Sequence, residues 1–469
     1  MALPSLFSSA RRTSPAPAPT APALGPGAAE ALRGARRAAR RLPAYRDLLL
    51  EHGADPSDLR FLEDVPYLDK QAVFGDGIGR WIQGGRLTDA AELVTSSGTT
   101  GGAFSVGVSS RAERDELERV VDRALTQMGA RPGSPSLLLN CLPMGVSIPS
   151  RLATVASPSV HLEMALEMLV TYGPAFDRTV IVGEPVFLKE LAERGRHVAG
   201  RDWTPERTFM VAGGEWIAES WRTHVESLAG FGGPGKDPQC GILISMGAAE
   251  LGLHCLVETP ELRMARRLLT DRGARADLFG HDPGYSPTLF SFDPDRLFLE
   301  ERAHERGETT LVATTLTPRL VPLIRYDLGD LADIVAPETM NAHLAEHGSP
   351  VRVTEPVVAV WGRRSPAGGL RPELVKERIF AIPADAACLS GRFQVQSSGS
   401  QPGALCLHVQ LRDGAAARPG LSHDLEHFLA AATGVPGEAI VHGHREYPFH
   451  LAGDYQHKPH YAPTPGGIS

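Results

Sequence analysis

The residues best suited to chemistry lie in Thr95-Ser96-Ser97-Gly98-Thr99-Thr100-Gly101-Gly102, where three glycines stand among five hydroxyl residues directly after an apolar run. Glycines let a main chain approach anionic oxygens without Cβ clashes, and the freed N–H groups and hydroxyls supply donors. A flexible Ser/Gly linker has the same composition. The placement between a predicted strand (LVTSSG) and the helix-like RAERDELERVVDRALTQMG favours a phosphate cradle. The pattern is not G-x-x-x-x-G-K-[ST], so the loop of the common nucleotide kinases is excluded.

Other chemistry-bearing residues are spread along the chain. Glu250 follows Gly247-Ala248-Ala249 and suits a hard divalent cation, or else a dipole role at a helix start. Asp330 follows Gly329, and its two oxygens suit a pair of vicinal hydroxyls, though Gly-Asp is also ordinary turn chemistry. Lys458, in His457-Lys458-Pro459-His460, and Arg363, after Gly362, are cations in a tail and a linker. His442, His444, His450, His457 and His460 crowd the last segment without i,i+4 spacing or a nearby cysteine, so they read as loop histidines rather than a metal site. His254-Cys255 reads as a core and turn pair.

The elements that must position these groups follow an α/β pattern. SLLLNCLP, RTVIVGEP and TFMVAGGE are strand-like, and helix candidates such as VFLKELAERG and AESWRTHVESLAG intervene, which predicts substantial parallel sheet. From about Pro287 to Val335 the pattern turns strand-rich, and after WGRRSPAGG a smaller α+β pattern closes the chain. The expected organisation is a Pro/Ala/Ser-rich disordered tail over 1–27, a multi-layer α/β N-terminal region with a β-rich subdomain over 28–361, and a small mobile α+β domain over 362–469. A helical stretch from Ala28 to His52 is interrupted at Pro43 and closed by Gly53.

Bulk properties narrow the function class. A chain of 469 residues exceeds one ordinary core. The net charge of -8 gives no electrostatic reason for a nucleic-acid or anionic-membrane partner. No apolar run approaches the roughly 20 residues that span a bilayer. Five cysteines scattered without a C-x-x-C pair argue against a disulfide framework and fit a reducing cytoplasm.

The Ser-Ser-Gly-Thr-Thr-Gly run resembles the signature of the adenylate-forming superfamily, which includes acyl-CoA synthetases, adenylation domains and luciferases. Further segments fall in the family's order: Gly213-Gly214-Glu215-Trp216, Met246-Gly247-Ala248-Ala249-Glu250, Arg325-Tyr326-Asp327-Leu328-Gly329-Asp330, Gly362-Arg363 and Lys458. Pro43-Ala44-Tyr45-Arg46, Gly53-Ala54-Asp55-Pro56 and Pro66-Tyr67-Leu68-Asp69-Lys70 are similar to the opening of the phenylacetate-CoA ligase branch. The resemblance implies ATP, Mg²⁺ and coenzyme A as cofactors and a small carboxylic acid, aromatic or arylacetic, as substrate. It implies Lys458 and Glu250 as catalytic residues, with Glu250 on Mg²⁺. It implies Ser97, Gly98, Thr99, Thr100, Gly101, Gly214, Glu215, Met246, Gly247, Asp330 and Arg363 as the nucleotide site. A homodimer is left open.

The pattern also departs from the family. Ala103 and Phe104 follow Gly102 where Pro and Lys are usual, Met246 replaces an adenine-stacking Tyr, Ala249 replaces a Thr, and Ser365 stands near the place of a hinge Asp. Three rivals therefore accompany the acid-CoA ligase reading. They are transfer to a nitrogen nucleophile or carrier thiol, activation of nitrite for diazotisation of an aryl amine, and an inactive nucleotide-binding homologue.

Overall fold

A computed structural model of the chain describes residues 26–75, 77–96, 105–143, 145–200, 203–232, 240–305, 307–364, 370–398 and 404–449, with Tyr455 and Tyr461. The tail over 1–25, together with Ser97, Gly98, Thr99, Thr100, Gly101, Ala103, Ser365 and Lys458, lies outside the described residues.

Two helices, α1 (Pro26–Arg41) and α2 (Pro43–Glu51), open the fold, and Pro43 starts the second at a position where its missing N–H costs nothing. Gly53 follows with φ 74°, as the predicted stop requires. After α3 (Lys70–Phe74) come β1 (Glu92–Ser96), β2 (Ser105–Ser109) and α4 (Arg111–Gln127). A capping box starts α4: the Ser110 hydroxyl accepts from the Glu113 N–H at 3.2 Å, and Glu113 accepts from the Ser110 N–H at 2.9 Å.

The central segment supplies β3 (Ser136–Cys141), β4 (Thr154–Ala156), α5 (Leu162–Glu167), β5 (Arg178–Gly183), α6 (Pro185–Ala199), β6 (Thr208–Gly213), α7 (Glu219–Ala229), β7 (Gly241–Ala248) and β8 (Gly252–Val257). These strands form a six-stranded sheet in the order β4-β3-β5-β6-β7-β8, parallel except for β8 at one edge. Leu138, Val180, Val182, Phe209, Val211 and Leu243 pack with Val121 and Leu125 of α4 on one face. The alternate residues Leu139, Ile181, Met210, Ala212 and Ile244 pack on the other with Leu188 and Leu191 of α6 and Val225 of α7. Both faces are covered, which is why these strands read as continuous apolar runs.

Next come α8 (Pro260–Leu268), α9 (Arg272–Phe279), β9 (Thr288–Phe290), β10 (Leu297–Ala303), β11 (Thr309–Thr315), β12 (Tyr326–Val335), α10 (Pro337–Glu346) and β13 (Val357–Arg363). The strands build a five-stranded antiparallel sheet, β10-β11-β12-β13-β9, which is the expected β-rich subdomain. The C-terminal region contains α11 (Pro372–Ala381), α12 (Pro383–Cys388), β14 (Leu389–Ser397), β15 (Leu405–Leu411), α13 (Leu421–Thr433) and β16 (Glu438–His442), with a three-stranded sheet β14-β15-β16. It packs through α11 on α7 and through β14 on α6.

Two local expectations are corrected. The glycine-rich run lies between the two antiparallel strands of a hairpin, because Ser105–Ser109 forms β2 ahead of the helix. Gly329-Asp330 lies inside β12 rather than at a tight turn. Gly329 adopts φ 73° there, and the pairing register with both neighbouring strands shifts along the strand, as at a β-bulge.

Candidate nucleotide and acyl-activation site

The carboxyl ends of β5, β6 and β7 share one edge of the parallel sheet, the place where open α/β sheets take ligands. Gly213 pairs with Ser245 there, and a Cβ on Gly213 would stand 2.8 Å from the Ser245 carbonyl oxygen, so the two strands end in close contact. Gly214 has φ 97°, a conformation that favours glycine, and turns the chain into Glu215. Met246 and Gly247 lie in β7, and the Met246 carbonyl accepts from the Cys255 thiol at 3.2 Å.

Glu250 occupies the turn between β7 and β8. The Tyr326 hydroxyl donates to its Oε1 at 2.7 Å, and Arg319 donates to its backbone oxygen at 3.2 Å. Burial, and then the Glu250 charge, pushes the Tyr326 phenol well above its ordinary value, so it remains a donor. Among the described residues nothing meets Oε2, which leaves a hard oxygen at the sheet edge. That donor suits Mg²⁺.

Asp330 and Arg363 are cross-strand partners on β12 and β13, with the guanidinium donating to Asp330 Oδ2 at 3.1 Å. Burial pushes the Asp330 carboxyl up while Arg363 pulls it down, and the Asp330 charge holds the Arg363 guanidinium above its usual value. Tyr326, whose hydroxyl holds Glu250, begins the strand that carries Asp330, so β12 brings the two carboxylates into the same neighbourhood.

The start of β12 is held from below. Arg325 adopts φ 51°, and its guanidinium donates to the Val65 carbonyl at 2.8 Å and lies 4.0 Å from the Tyr67 ring centroid. Leu68 pairs with Tyr326 as a parallel bridge, with Leu68 N–H to Arg325 O at 2.9 Å and Asp327 N–H to Leu68 O at 2.8 Å. The Pro66–Lys70 segment is therefore a brace under the site.

The hairpin reaches the same edge. A Cβ on Gly107 of β2 would stand 2.0 Å from the Ala249 carbonyl oxygen, so β2 runs directly against the turn that bears Glu250. Ser97, Gly98, Thr99, Thr100 and Gly101, which fall between β1 and β2 in the sequence, are outside the described residues, as is Lys458.

Glu215 is placed differently from its neighbours. Its Oε2 accepts from Lys376 Nζ at 2.6 Å and from the Tyr461 hydroxyl at 2.6 Å, both in the C-terminal region. Sequence reasoning missed Tyr326, Lys376 and Tyr461. Tyr326 sat in a quoted motif, but Lys376 lies in ordinary helical sequence with nothing local to mark it. Among the described residues there is no group of three or more His, Cys, Asp or Glu able to hold a metal ion. His442 instead meets His408, with Nδ1 of His408 2.9 Å from Nε2 of His442. All five cysteines are free and buried. Among the described residues no helix is long and apolar enough to cross a membrane.

No family model matches the chain. A phenylacetate-coenzyme A ligase of Thermus thermophilus is 28% identical over 304 residues, 62% of this chain and 61% of that protein. The match thus spans less than two thirds of the relative's length. A solved 2-hydroxyisobutyryl-CoA ligase, in the postadenylation state with an acyl-AMP, superposes with a TM-score of 0.64 at 16% identity, over 91% of this chain and 87% of that one. The fold is that of this CoA ligase, and the sequence is similar to that of the phenylacetate-coenzyme A ligase. The same 2-hydroxyisobutyryl-CoA ligase in its thioesterification state gives 0.52 at 17% identity, over 89% of this chain and 85% of that one. An anthranilate CoA ligase with anthranoyl-AMP gives 0.50 at 13% identity, over 78% of this chain and 66% of that one. Glu250, Asp330 and Arg363 lie near one another, whereas the Glu215 carboxylate turns to the C-terminal region.

Proposed function

We propose that the chain activates a carboxylic acid with ATP and passes the acyl group to coenzyme A. A carboxylate oxygen attacks the α-phosphorus, the bond to the β-phosphate bridging oxygen breaks, and pyrophosphate leaves. The thiol sulfur of coenzyme A then attacks the acyl carbonyl, loses its proton, and AMP departs. The observation that carries this reading is the convergence of Glu250, Asp330 and Arg363 with the hairpin β1–β2 at one sheet edge.

In this reading Asp330 accepts from the ribose hydroxyls and Arg363 holds it in place while facing the phosphates. The backbone of Gly213–Glu215 and of Met246–Gly247 flanks the adenine, and residues 97–101 cradle the phosphates. Glu250 Oε2 would hold Mg²⁺, which offsets charge on the departing pyrophosphate when bound. Lys458 brings a cation to the reacting oxygens, and the region over 362–469 rotates between the two half-reactions. The names of the relatives, phenylacetate and anthranilate ligases among them, favour an aromatic or arylacetic acid.

The test is pyrophosphate release from ATP across a panel of aryl, arylacetic and short hydroxy acids, with coenzyme A consumption followed in parallel. Acid-dependent release with thioester formation supports the reading. Release without thioester moves the acceptor to an amine, a carrier thiol or a nitrite and aryl-amine pair. Nucleotide binding without release under any acid leaves a binding protein and sinks the enzyme reading.

A further inference from the structure

Among the described residues, the carboxylate of Glu215 is held from the C-terminal region. Lys376 of α11 and Tyr461 of the tail both donate to Oε2 at 2.6 Å, and Lys376 also donates to the Trp216 carbonyl at 3.0 Å. The Lys376 ammonium lies 4.3 Å from the Tyr461 ring centroid, so the two donors hold each other as well as the acid. Tyr461 is fixed to β14: its carbonyl accepts from the Val395 N–H at 2.8 Å, and its ring stacks on Phe393 at 4.3 Å. Lys376 is 8% exposed, and its charge is met by Glu215.

Other contacts bind the two regions without touching the loop after β6. Lys189 of α6 donates to the Leu389 carbonyl at 2.8 Å, Ser220 of α7 donates to Glu377 at 2.8 Å, and the Tyr455 phenol donates to Glu190 while its ring meets Phe187 edge to face. These hold the C-terminal region against helices. Only the Glu215 cluster, among these contacts, reaches the loop that follows Gly213 and Gly214.

We propose that Glu215, Lys376 and Tyr461 form a latch that holds the C-terminal region in the arrangement for adenylate formation, which makes Lys376 and Tyr461 positioning residues for that half-reaction. The proposal rests on the functional reading above. Tyr461 stands three residues beyond Lys458 in the sequence, and on the functional reading the loop after β6 that Tyr461 reaches through Glu215 is the one that flanks the adenine. Rotation of the C-terminal region must break both hydrogen bonds to Glu215. The latch therefore favours the first half-reaction and is open in the second.

The experiment uses the full chain and two variants, Lys376→Met, which keeps the stem and removes the charge, and Tyr461→Phe, which removes only the hydroxyl. Three quantities are read: pyrophosphate release from acid and ATP, acyl transfer from a synthetic acyl-adenylate to coenzyme A, and hydrogen exchange of α7 and β14. Each variant should lower kcat for pyrophosphate release on the order of 10- to 100-fold, the scale of one charge-assisted hydrogen bond. KM for ATP should move far less, transfer from the adenylate should be unchanged, and exchange in α7 and β14 should rise. Lys376→Arg should recover most of the rate. Equal loss in both half-reactions, or unchanged release with unchanged exchange, overturns the latch. If the wild-type chain releases no pyrophosphate with any acid, the functional reading fails on its own, and exchange then decides the latch: raised in both variants supports it, unchanged overturns it.

Discussion

The Tyr326 hydroxyl donates to Oε1 of Glu250 at 2.7 Å and thereby joins the first residue of a strand in the antiparallel sheet to a turn of the parallel one. This bond orients one carboxylate oxygen and leaves the other toward the site. Tyr326→Phe should lower pyrophosphate release roughly 10- to 100-fold and raise the Mg²⁺ concentration needed for half-maximal rate, because a hydrogen bond to a charged group contributes about 1.5–3 kcal/mol. Glu250→Ala should nearly eliminate release with the fold intact. Wild-type rates at limiting Mg²⁺ in either variant would remove Glu250 from the site.

Asp330 faces Arg363 across two strands, so its carboxylate is oriented before any ligand arrives. Asp330→Ala should raise KM for ATP strongly, since two charge-assisted hydrogen bonds to ribose vanish together. Arg363→Gln, which leaves the acid in place but frees its direction, should give a smaller rise. An unchanged KM for the alanine variant would make Asp330 a bulge residue with no ligand.

Gly107 is the position where the glycine-rich hairpin touches the Glu250 turn. Gly107→Ala places a methyl 2.0 Å from a backbone oxygen, which cannot move without displacing the turn. Overpacking of this kind costs about 1–3 kcal/mol. A fall in melting temperature together with weaker ATP binding is expected from calorimetry and nucleotide titration. Lower stability with unaltered ATP affinity would separate the hairpin from the nucleotide.

Lys458 tests the two-step scheme. Lys458→Ala should slow acyl-adenylate formation by orders of magnitude, the consequence of removing a cation from transition-state charge. Given synthetic acyl-adenylate, the same variant should transfer to coenzyme A at a near-normal rate. Equal losses in both half-reactions would end the rotating-domain scheme.

His224 of α7 supplies a pH test of the interface between the two regions. Burial, then the charges of Lys189 and Arg412, pushes its pKa down from 6.5 to about 4. The unfolded chain therefore takes up the proton first. The stability that neutral His224 contributes is complete above pH ~6.5 and is lost as pH falls toward about 4. Melting curves from pH 7.5 to 4.5 should show a decline that His224→Gln flattens. Parallel declines in wild type and variant would assign the acid sensitivity elsewhere.

The sequence by itself determined the elements whose signals are local. Pro43 marks the break between α1 and α2, and the apolar runs at 136–141, 178–183 and 208–213 are strands because both their faces are buried. Motif order and residue type sufficed to nominate Glu250, Asp330 and Arg363. Local signal failed at β2, where the Ser-Val-Gly-Val-Ser alternation is only five residues long, carries a glycine at its centre and directly follows a glycine-rich run. Tertiary structure alone decided that Asp330 opposes Arg363, that Tyr326 reaches Glu250, and that Glu215 is met by Lys376 and Tyr461. Those pairings are non-local. They depend on strand register, on a bulge at Gly329 and on how one region seats against another, and a one-residue slip in β12 would turn its side chains to the opposite face without altering any local propensity.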